Sequence, residues 1–505
     1  AGQKVTVRHA EIVTDGDLNA KSLRTAKATL VYVCKEGEQE YSPHLTYMGF
    51  RYIGIEGIAP ENIEVSAIAL YSDFEETGSF ACSDPLLNKL QSNIVWSGKS
   101  NFVDIPTDCP QRDERMGWTG DISVFAKTAC FNFDLAAFLE KWLYDVRAEQ
   151  GHGGGLPLVV PKQGISAPTV ATACWADCIV LVPWAEYLAR GDKELLRTMY
   201  PAMKKYLKAV RFWASLSGPG KYRRHIWKWL FQFGDWCAPE GGIMDWMKRG
   251  REIATAYYAN SCRLVSEIAR ILGKSEDAEY YASLSQKIAE AFRHVFTDGK
   301  GTLKKEFQTG YVLPLAFGLA EGAEREAMAQ NLDCLVRERR YHLSTGFTGT
   351  PHILFALADG GKAETAYKLL LQDTAPSWLA CIKEGATTTW EEWTIDPYKE
   401  GNIPSYNHYA YGAVGDFLYR RVAGIEPTEG GYKCFSVRPV LGGGLTFAKA
   451  SVKTPYGTAA SEWHLDGGKF TLKVTVPVSC TCRVTMPSGK QMTLKSGEYE
   501  MEETV

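Results

Sequence analysis

From Pro85 to about Arg421 the apolar residues recur at helical spacing, and the links between the helices alternate in length along the whole stretch. The spacing predicts about twelve helices, over 86–102, 121–131, 134–149, 169–190, 194–217, 252–272, 275–297, 307–320, 323–339, 347–359, 361–372 and 405–422. Every even-to-odd link is short: FNFD, RGDKE, LGKSED, LAEGAERE and LADGGKAE. Every odd-to-even link, over 103–120, 150–168, 218–251, 298–306, 340–346 and 373–404, is longer or richer in Gly, Trp and charge. Dividing the second helix from the third at Asn132-Phe133-Asp134 rests on Asp134 as a cap for the third. Antiparallel neighbours put alternate links at opposite ends, so one end carries tight turns and the other carries long loops. Six such pairs read as an (α/α)6 barrel. Its working face is expected at the long-loop end, because function concentrates on loops held by a rigid scaffold.

The flanks read differently. Residues 1–83 alternate as strands (VTVRHAEIV, ATLVYV, FRYIGIEGI, IEVSAIALYS), and Ser83-Asp84-Pro85 is a helix-capping signal. After Gly424 the strand pattern returns (YKCFSVRPV, KFTLKVTVPV, CRVTMPSG), with Asp466-Gly467-Gly468 as a hairpin turn. The expected fold is therefore a multidomain α plus β protein: a β-sandwich or part of one over 1–83, a central (α/α)6 barrel over 84–424, and a second β-sandwich over 425–505.

The 56 Lys plus Arg against 59 Asp plus Glu leave no basic excess for nucleic acid or an anionic membrane surface. No run of about 18 apolar residues is present to span a bilayer. Thirteen cysteines is an odd number, and Cys130, Cys174, Cys178 and Cys262 fall inside apolar helical patterns. This favours a reduced compartment, so the expectation is cytoplasmic, with a periplasmic or secreted location left open. Cys480 and Cys482 share one strand face and read as packing, since no second Cys/His pair accompanies them as zinc would need.

Two loops at the long-loop end carry the chemistry. The first, Thr107 to Asp121 (TDCPQRDERMGWTGD), packs four carboxylates, two arginines and a Trp between residues that bend the chain. Crowded carboxylates beside an aromatic raise a pKa, as a general acid requires. The second, Gly385 to Trp393, sets Glu391 and Glu392 between Trp390 and Trp393, just before the final helix. A pair of carboxyls, one per loop, is what glycoside hydrolysis needs. The 14 Trp and 25 Tyr suit stacking on sugar rings. No phosphate loop, metal-ligand spacing or Ser-His-Asp order is present, so neither metal nor cofactor is implied.

These segments, with YMGFRYIGIEG, GGGLPLVVP, ATACWAD, FGDW and SYNHYAYGAVGDFLY, resemble the bacterial α-L-rhamnosidases of glycoside hydrolase family 78 over nearly the whole chain. The resemblance implies an inverting glycosidase acting on terminal α-L-rhamnose of rhamnosides. It matches Glu114 to the general acid and Glu391 to the general base. It matches Asp108, Arg112, Trp118 and Asp121 to the rhamnose site, and Trp175, Trp236, Trp393 and His408 to positions around the sugar, with Trp175 and Trp236 as an apolar wall for the C6 methyl. Asp235 beside Trp236 is held in reserve as an alternative base. Two departures stand out: the family usually has Trp-Glu-Arg-Trp where this chain has Glu392, and relatives carry further upstream β-domains, with a sugar-binding module and its calcium. Two other readings compete, an (α/α)6 inverting glycosidase for another sugar and a rhamnose-binding protein without turnover. The aglycone and the oligomeric state are not readable.

Overall fold

The structure, a computed structural model, describes residues 1–164, 171–228 and 231–505. The expected start of the fourth helix at 169, and parts of the loops 150–168 and 218–251, lie outside the described residues; the helix is described from Cys178. Six inner elements form a ring: Thr119–Asn132, Cys178–Arg190, Gly250–Ile271, Gln308–Phe317, Thr350–Ala358 and the run 409–422. Each packs on the next and the last returns to the first. Outside them lie Pro85–Asn101, Ala136–Ala148, Lys193–Ser217, Ser275–Phe296, Gly322–Glu338 and Ala363–Leu370. The even-numbered helices are the inner ones, because they are apolar on nearly every face. Thr350–Ala358, for instance, buries seven of its nine residues, whereas the outer helices keep one polar stripe for solvent.

The capping expectations are met locally. Asp84 accepts from Leu86 N at 2.8 Å and Leu87 N at 3.0 Å, and Asp134 accepts from Ala136 N at 3.3 Å. Two short helices inside the long loops, Ile243–Lys248 and Trp378–Lys383, went unread, since six residues are too few to display a period. The final inner element starts as a 3₁₀ turn at Tyr409–Val414 and ends as a π-helix at Leu418–Val422.

The flanking domains are both sheets, of unequal size. The C-terminal one is a sandwich of a four-stranded and a five-stranded sheet. Its five-stranded sheet takes in Gly78–Cys82, antiparallel to Phe447–Thr454, so that strand leaves the first 83 residues for the far end of the chain. The N-terminal domain is smaller than the sandwich expected. Among the described residues it holds one antiparallel sheet, in the order Thr29–Val33, Lys4–Ala10, Tyr52–Glu56, and a hairpin of Ile12–Thr14 with Asp17–Asn19. The alternation in IEVSAIALYS produces no ladder there, and Val65, Ile68 and Leu70 are exposed. Strand propensity without a neighbouring edge is not enough to make a strand. Cys480 and Cys482 are buried in the C-terminal domain, and all thirteen cysteines are free thiols. Among the described residues no helix is long and apolar enough to cross a membrane.

Candidate active site

The loop 107–118 runs from the first outer helix to the first inner one, and the loop 384–408 closes the ring beside it. Their backbones are tied to their own neighbours. Asp108 N donates to Met116 O, Glu391 N to Ser405 O at 3.0 Å, and His408 N to Thr389 O at 2.8 Å. The last two bonds form a short ladder that sets Glu391 and His408 side by side. Gln111 then reaches across to Ser405 Oγ at 3.0 Å and joins the two loops.

Arg112 stands at the centre, with only 1% of its side chain exposed. Its Nη1 donates to Glu391 Oε2 at 3.0 Å and its Nη2 to Glu391 Oε1 at 3.3 Å. The same Nη2 lies 2.7 Å from Glu114 Oε2 and 3.6 Å from Asp108 Oδ2. Glu114 Oε1 accepts from Trp118 Nε1 at 2.8 Å, and Ser405 N adds a bond to Glu391 Oε2 at 2.8 Å. Four of the residues singled out in the sequence, Asp108, Arg112, Glu114 and Glu391, are therefore one ion cluster. A second pair joins it: His408 Nε2 lies 2.7 Å from Asp121 Oδ1, both side chains 5% exposed.

The electrostatics separate these groups. Burial alone would raise Glu391, but His408, the Arg112 charge and bonds, and the Ser405 amide hold it at about 2. It is a carboxylate at any working pH. Burial would lower His408, yet Glu391 and Asp121 lift it to about 9. Burial raises Asp121 above the ordinary carboxylate value against the pull of the His408 charge and its hydrogen bond. Burial, and then the Glu114 charge, push Asp108 well above the usual carboxylate range.

The aromatic residues form a tier beside the cluster. Trp175 is 2% exposed and lies 4.3 Å from Phe233, while half-buried Trp236 meets Phe233 at 5.0 Å and Trp246 at 5.3 Å. A Cβ at Gly120 would fall 2.3 Å from the Trp175 ring, so only glycine lets that indole rest on the start of the helix. Trp118 and Trp236 are partly exposed, while Trp175 is buried and, among the described residues, reaches each of them only through Phe233, so the structure takes Trp175 out of the expected apolar wall. Trp393 is 4% exposed, stacked on Tyr411 at 4.0 Å, and donates to Thr345 O at 3.2 Å. It braces loops. Asp235 is fully buried and accepts from Thr309 at 2.5 Å, Thr348 at 2.7 Å and Gly349 N at 3.3 Å, so it ties two inner-helix starts to the FGDW loop instead of meeting a water. Glu391 and Glu392 part ways as an extended loop demands. Glu392 lines a separate cavity of about 20 Å³ with Trp378 and Trp393. A larger groove of about 470 Å³, lined by Tyr341, Tyr367 and Leu441, lies on the outer side of the barrel and contains none of the carboxylates above.

Sequence reasoning missed the N-terminal domain's part in this site. Arg24 Nη1 is 2.7 Å from Glu114 Oε2. Glu11, 5% exposed, accepts from Tyr406 N at 3.2 Å, and burial drives it up to about 7. Arg115 lies over the Tyr47 ring at 4.6 Å. Isolated charges in a strand-patterned segment carry no signal of such a role. Asp108, Cys109 and Glu114 offer ligand atoms within 4.8 Å of one another, but the Arg112 guanidinium already supplies positive charge there and burial keeps Cys109 a thiol.

A ring of six helical hairpins is the fold of a six-hairpin glycosidase domain, and here its long-loop end gathers three carboxylates around one arginine. The family model for the bacterial alpha-L-rhamnosidase six-hairpin glycosidase domain matches residues 75–422, and those for the concanavalin-like and C-terminal domains of the same proteins match 1–71 and 424–500. The chain belongs to the bacterial α-L-rhamnosidase family. It is 39% identical over 508 residues to an alpha-L-rhamnosidase of Formosa agariphila, covering 98% of this chain and 54% of that one. The solved structure of an Aspergillus terreus alpha-L-rhamnosidase superposes with a TM-score of 0.92 at 36% identity, over 99% of this chain and 59% of that one. A Streptomyces avermitilis alpha-L-rhamnosidase complexed with L-rhamnose gives 0.91 at 35% identity, over 100% and 50%. The chain thus spans about half the length of the relatives it matches.

Proposed function

We propose that this chain is the catalytic part of an inverting α-L-rhamnosidase that removes terminal α-L-rhamnose from rhamnosides, with Glu114 as general acid and Glu391 as general base. The observation that carries this is the pair of carboxylates on one buried guanidinium. Both touch Arg112 Nη2, at 2.7 and 3.3 Å, so those two oxygens are at most about 6 Å apart. That is near the spacing of about 5–5.5 Å in retaining pairs and short of the about 6.5–9.5 Å in inverting ones, so inversion is carried by the family resemblance and not by this distance. Glu391 is ionised, as a base must be, and among the described residues its Oε1 accepts from Arg112 alone, at 3.3 Å, which leaves a lone pair for a water. The acid role of Glu114 rests on the family match and on its place beside Glu391 on Arg112; Asp108 next to it is pushed up to about 7 by burial and then by the Glu114 charge. Trp118 and Trp236 offer half-buried faces to a deoxysugar, consistent with a relative crystallised with L-rhamnose.

In the reaction Glu114 passes its proton to the glycosidic oxygen as the bond from C1 to that oxygen breaks. A water adds to C1 from the opposite face, and Glu391 takes its proton. The test is initial rates on 4-nitrophenyl α-L-rhamnoside beside the glucoside, mannoside and fucoside, with proton NMR of the first product. β-L-Rhamnose is expected. α-L-Rhamnose as first product would refute inversion, and a faster rate on another sugar would refute the substrate.

A further inference from the structure

We infer that Arg24, supplied by the N-terminal sheet domain, positions the Glu114 carboxyl for proton delivery, so that this domain is a working part of the site. The inference rests on the acid role proposed above. Among the described residues Glu114 has three polar contacts: Trp118 Nε1 on Oε1, and Arg112 and Arg24, each 2.7 Å from Oε2. Trp118 and Arg112 belong to the same loop as Glu114, and Arg112 is shared with Glu391. Arg112 ties Glu114 to the oxygen-sharing network of Glu391, whereas Arg24 holds the same Glu114 oxygen from outside that network. Arg24 is the contact that comes from another domain and has no carboxylate besides Glu114 among the described ion pairs.

The segment that carries Arg24 is built to hold it there. Its backbone is left-handed at φ 55°, a conformation a non-glycine residue adopts only when its surroundings impose it. Its neighbours grip both active-site loops. Ser22 O accepts from Gln111 at 3.5 Å, the Thr25 hydroxyl donates to Asp113, and Lys21 Nζ donates to Lys399 O at 2.9 Å. Further along the domain, Gly49 approaches the same loop so closely that a Cβ there would fall 2.7 Å from Gln111 N and Pro110 C. The Arg24 side chain is 35% exposed, and an ion pair at that exposure contributes little to stability. Removing it should therefore act on catalysis more than on folding.

The experiment compares wild type, Arg24→Ala, Arg24→Lys and Gly49→Ala on an alkyl α-L-rhamnoside and on 4-nitrophenyl α-L-rhamnoside, with melting temperatures alongside. Arg24→Ala should lose about 10- to 100-fold in kcat on the alkyl substrate, the scale of a misplaced catalytic group, with KM unchanged and the nitrophenyl rate near normal. Arg24→Lys should recover part of the loss. Gly49→Ala, which lifts the domain off the loop without altering an ionisable group, should show the same dependence on leaving group. Equal rates or equal losses on both substrates for Arg24→Ala overturn the inference. A wild type that hydrolyses neither substrate overturns the proposed function itself, which the first measurement shows before any variant is compared.

Discussion

The two ends of the barrel are both crowded with charge, and they handle it in opposite ways. At the tight-turn end Arg421 meets Asp359 at 2.8 Å and Glu426 at 2.7 Å, Arg420 meets Asp416 at 2.8 Å and also Glu426, and Arg438 meets Asp359 at 2.8 Å. Each guanidinium there has its carboxylates. At the long-loop end Asp108 Oδ2, Arg112 Nε, His408 Nδ1 and Glu11 Oε1 are buried without a hydrogen-bond partner among the described residues, and Arg112 is divided among three acids. Buried polar groups are normally satisfied, so a cluster of orphans marks a place kept ready for a ligand. Asp416 Oδ1 at the tight-turn end is also buried without a partner among the described residues, so what sets the long-loop end apart is that several such atoms gather around one guanidinium shared by three acids.

Substitutions sharpen that contrast, and the largest effect is expected at Glu391. Glu391→Ala should lose about 10²- to 10⁴-fold on every rhamnoside, and azide should restore turnover as the β-L-rhamnosyl azide. Glu392→Ala, facing its own small cavity, should be mild; a loss as severe as that of Glu391→Ala would mean the base has been misassigned. Glu114→Ala should lose about as much on an alkyl rhamnoside, where protonation matters, but little on the nitrophenyl one. Uniform losses would take the acid role from it.

At the other end the signature reverses. Arg421→Ala should cost about 1–3 kcal/mol in chemical denaturation by removing its charged hydrogen bonds to Asp359 and Glu426, which keep Arg438 and Arg420 as partners, with kcat/KM per folded molecule unchanged. A catalytic defect without a stability defect would erase the distinction between the two ends. Trp236→Ala should weaken rhamnose binding by about 1–3 kcal/mol, measured as inhibition by free rhamnose, through lost apolar contact. Unaltered inhibition in a folded variant would return the ring to the core.

The smallest effect is a pH dependence of stability. His408 has a folded-state value raised from 6.5 to about 9, so its contribution is full below 6.5 and is lost as pH rises through 9. Glu391 is lowered from 4.5 to about 2, so its contribution is present above 4.5 and is lost as pH falls through 2. His408→Asn should flatten the decline in melting temperature between pH 6.5 and 9. A decline parallel to that of the wild type would show that the imidazolium is not its source.

Helical period and link length, read from the chain, were enough for a barrel with two sheet flanks and for which end carries the long loops, because both are local properties that tertiary contact only assembles. The residues of the TDCPQRDERMGWTGD and TTTWEEW loops were likewise legible, since each places carboxylates beside Trp in a long loop at one end of the barrel, the pair of groups glycoside hydrolysis needs. The partner of each acid was not. That Arg112 joins Glu114 to Glu391, that Asp235 is locked by threonines, that Glu392 faces away, and that Glu11 and Arg24 reach in from the sheet domain all depend on contacts between residues up to 395 positions apart. Sequence determined which chemical groups were available and at which end of the barrel; only the packing of the two loops and the first domain decided which carboxylate is ionised and which arginine holds it, because a pKa and an ion pair are set by distance and burial.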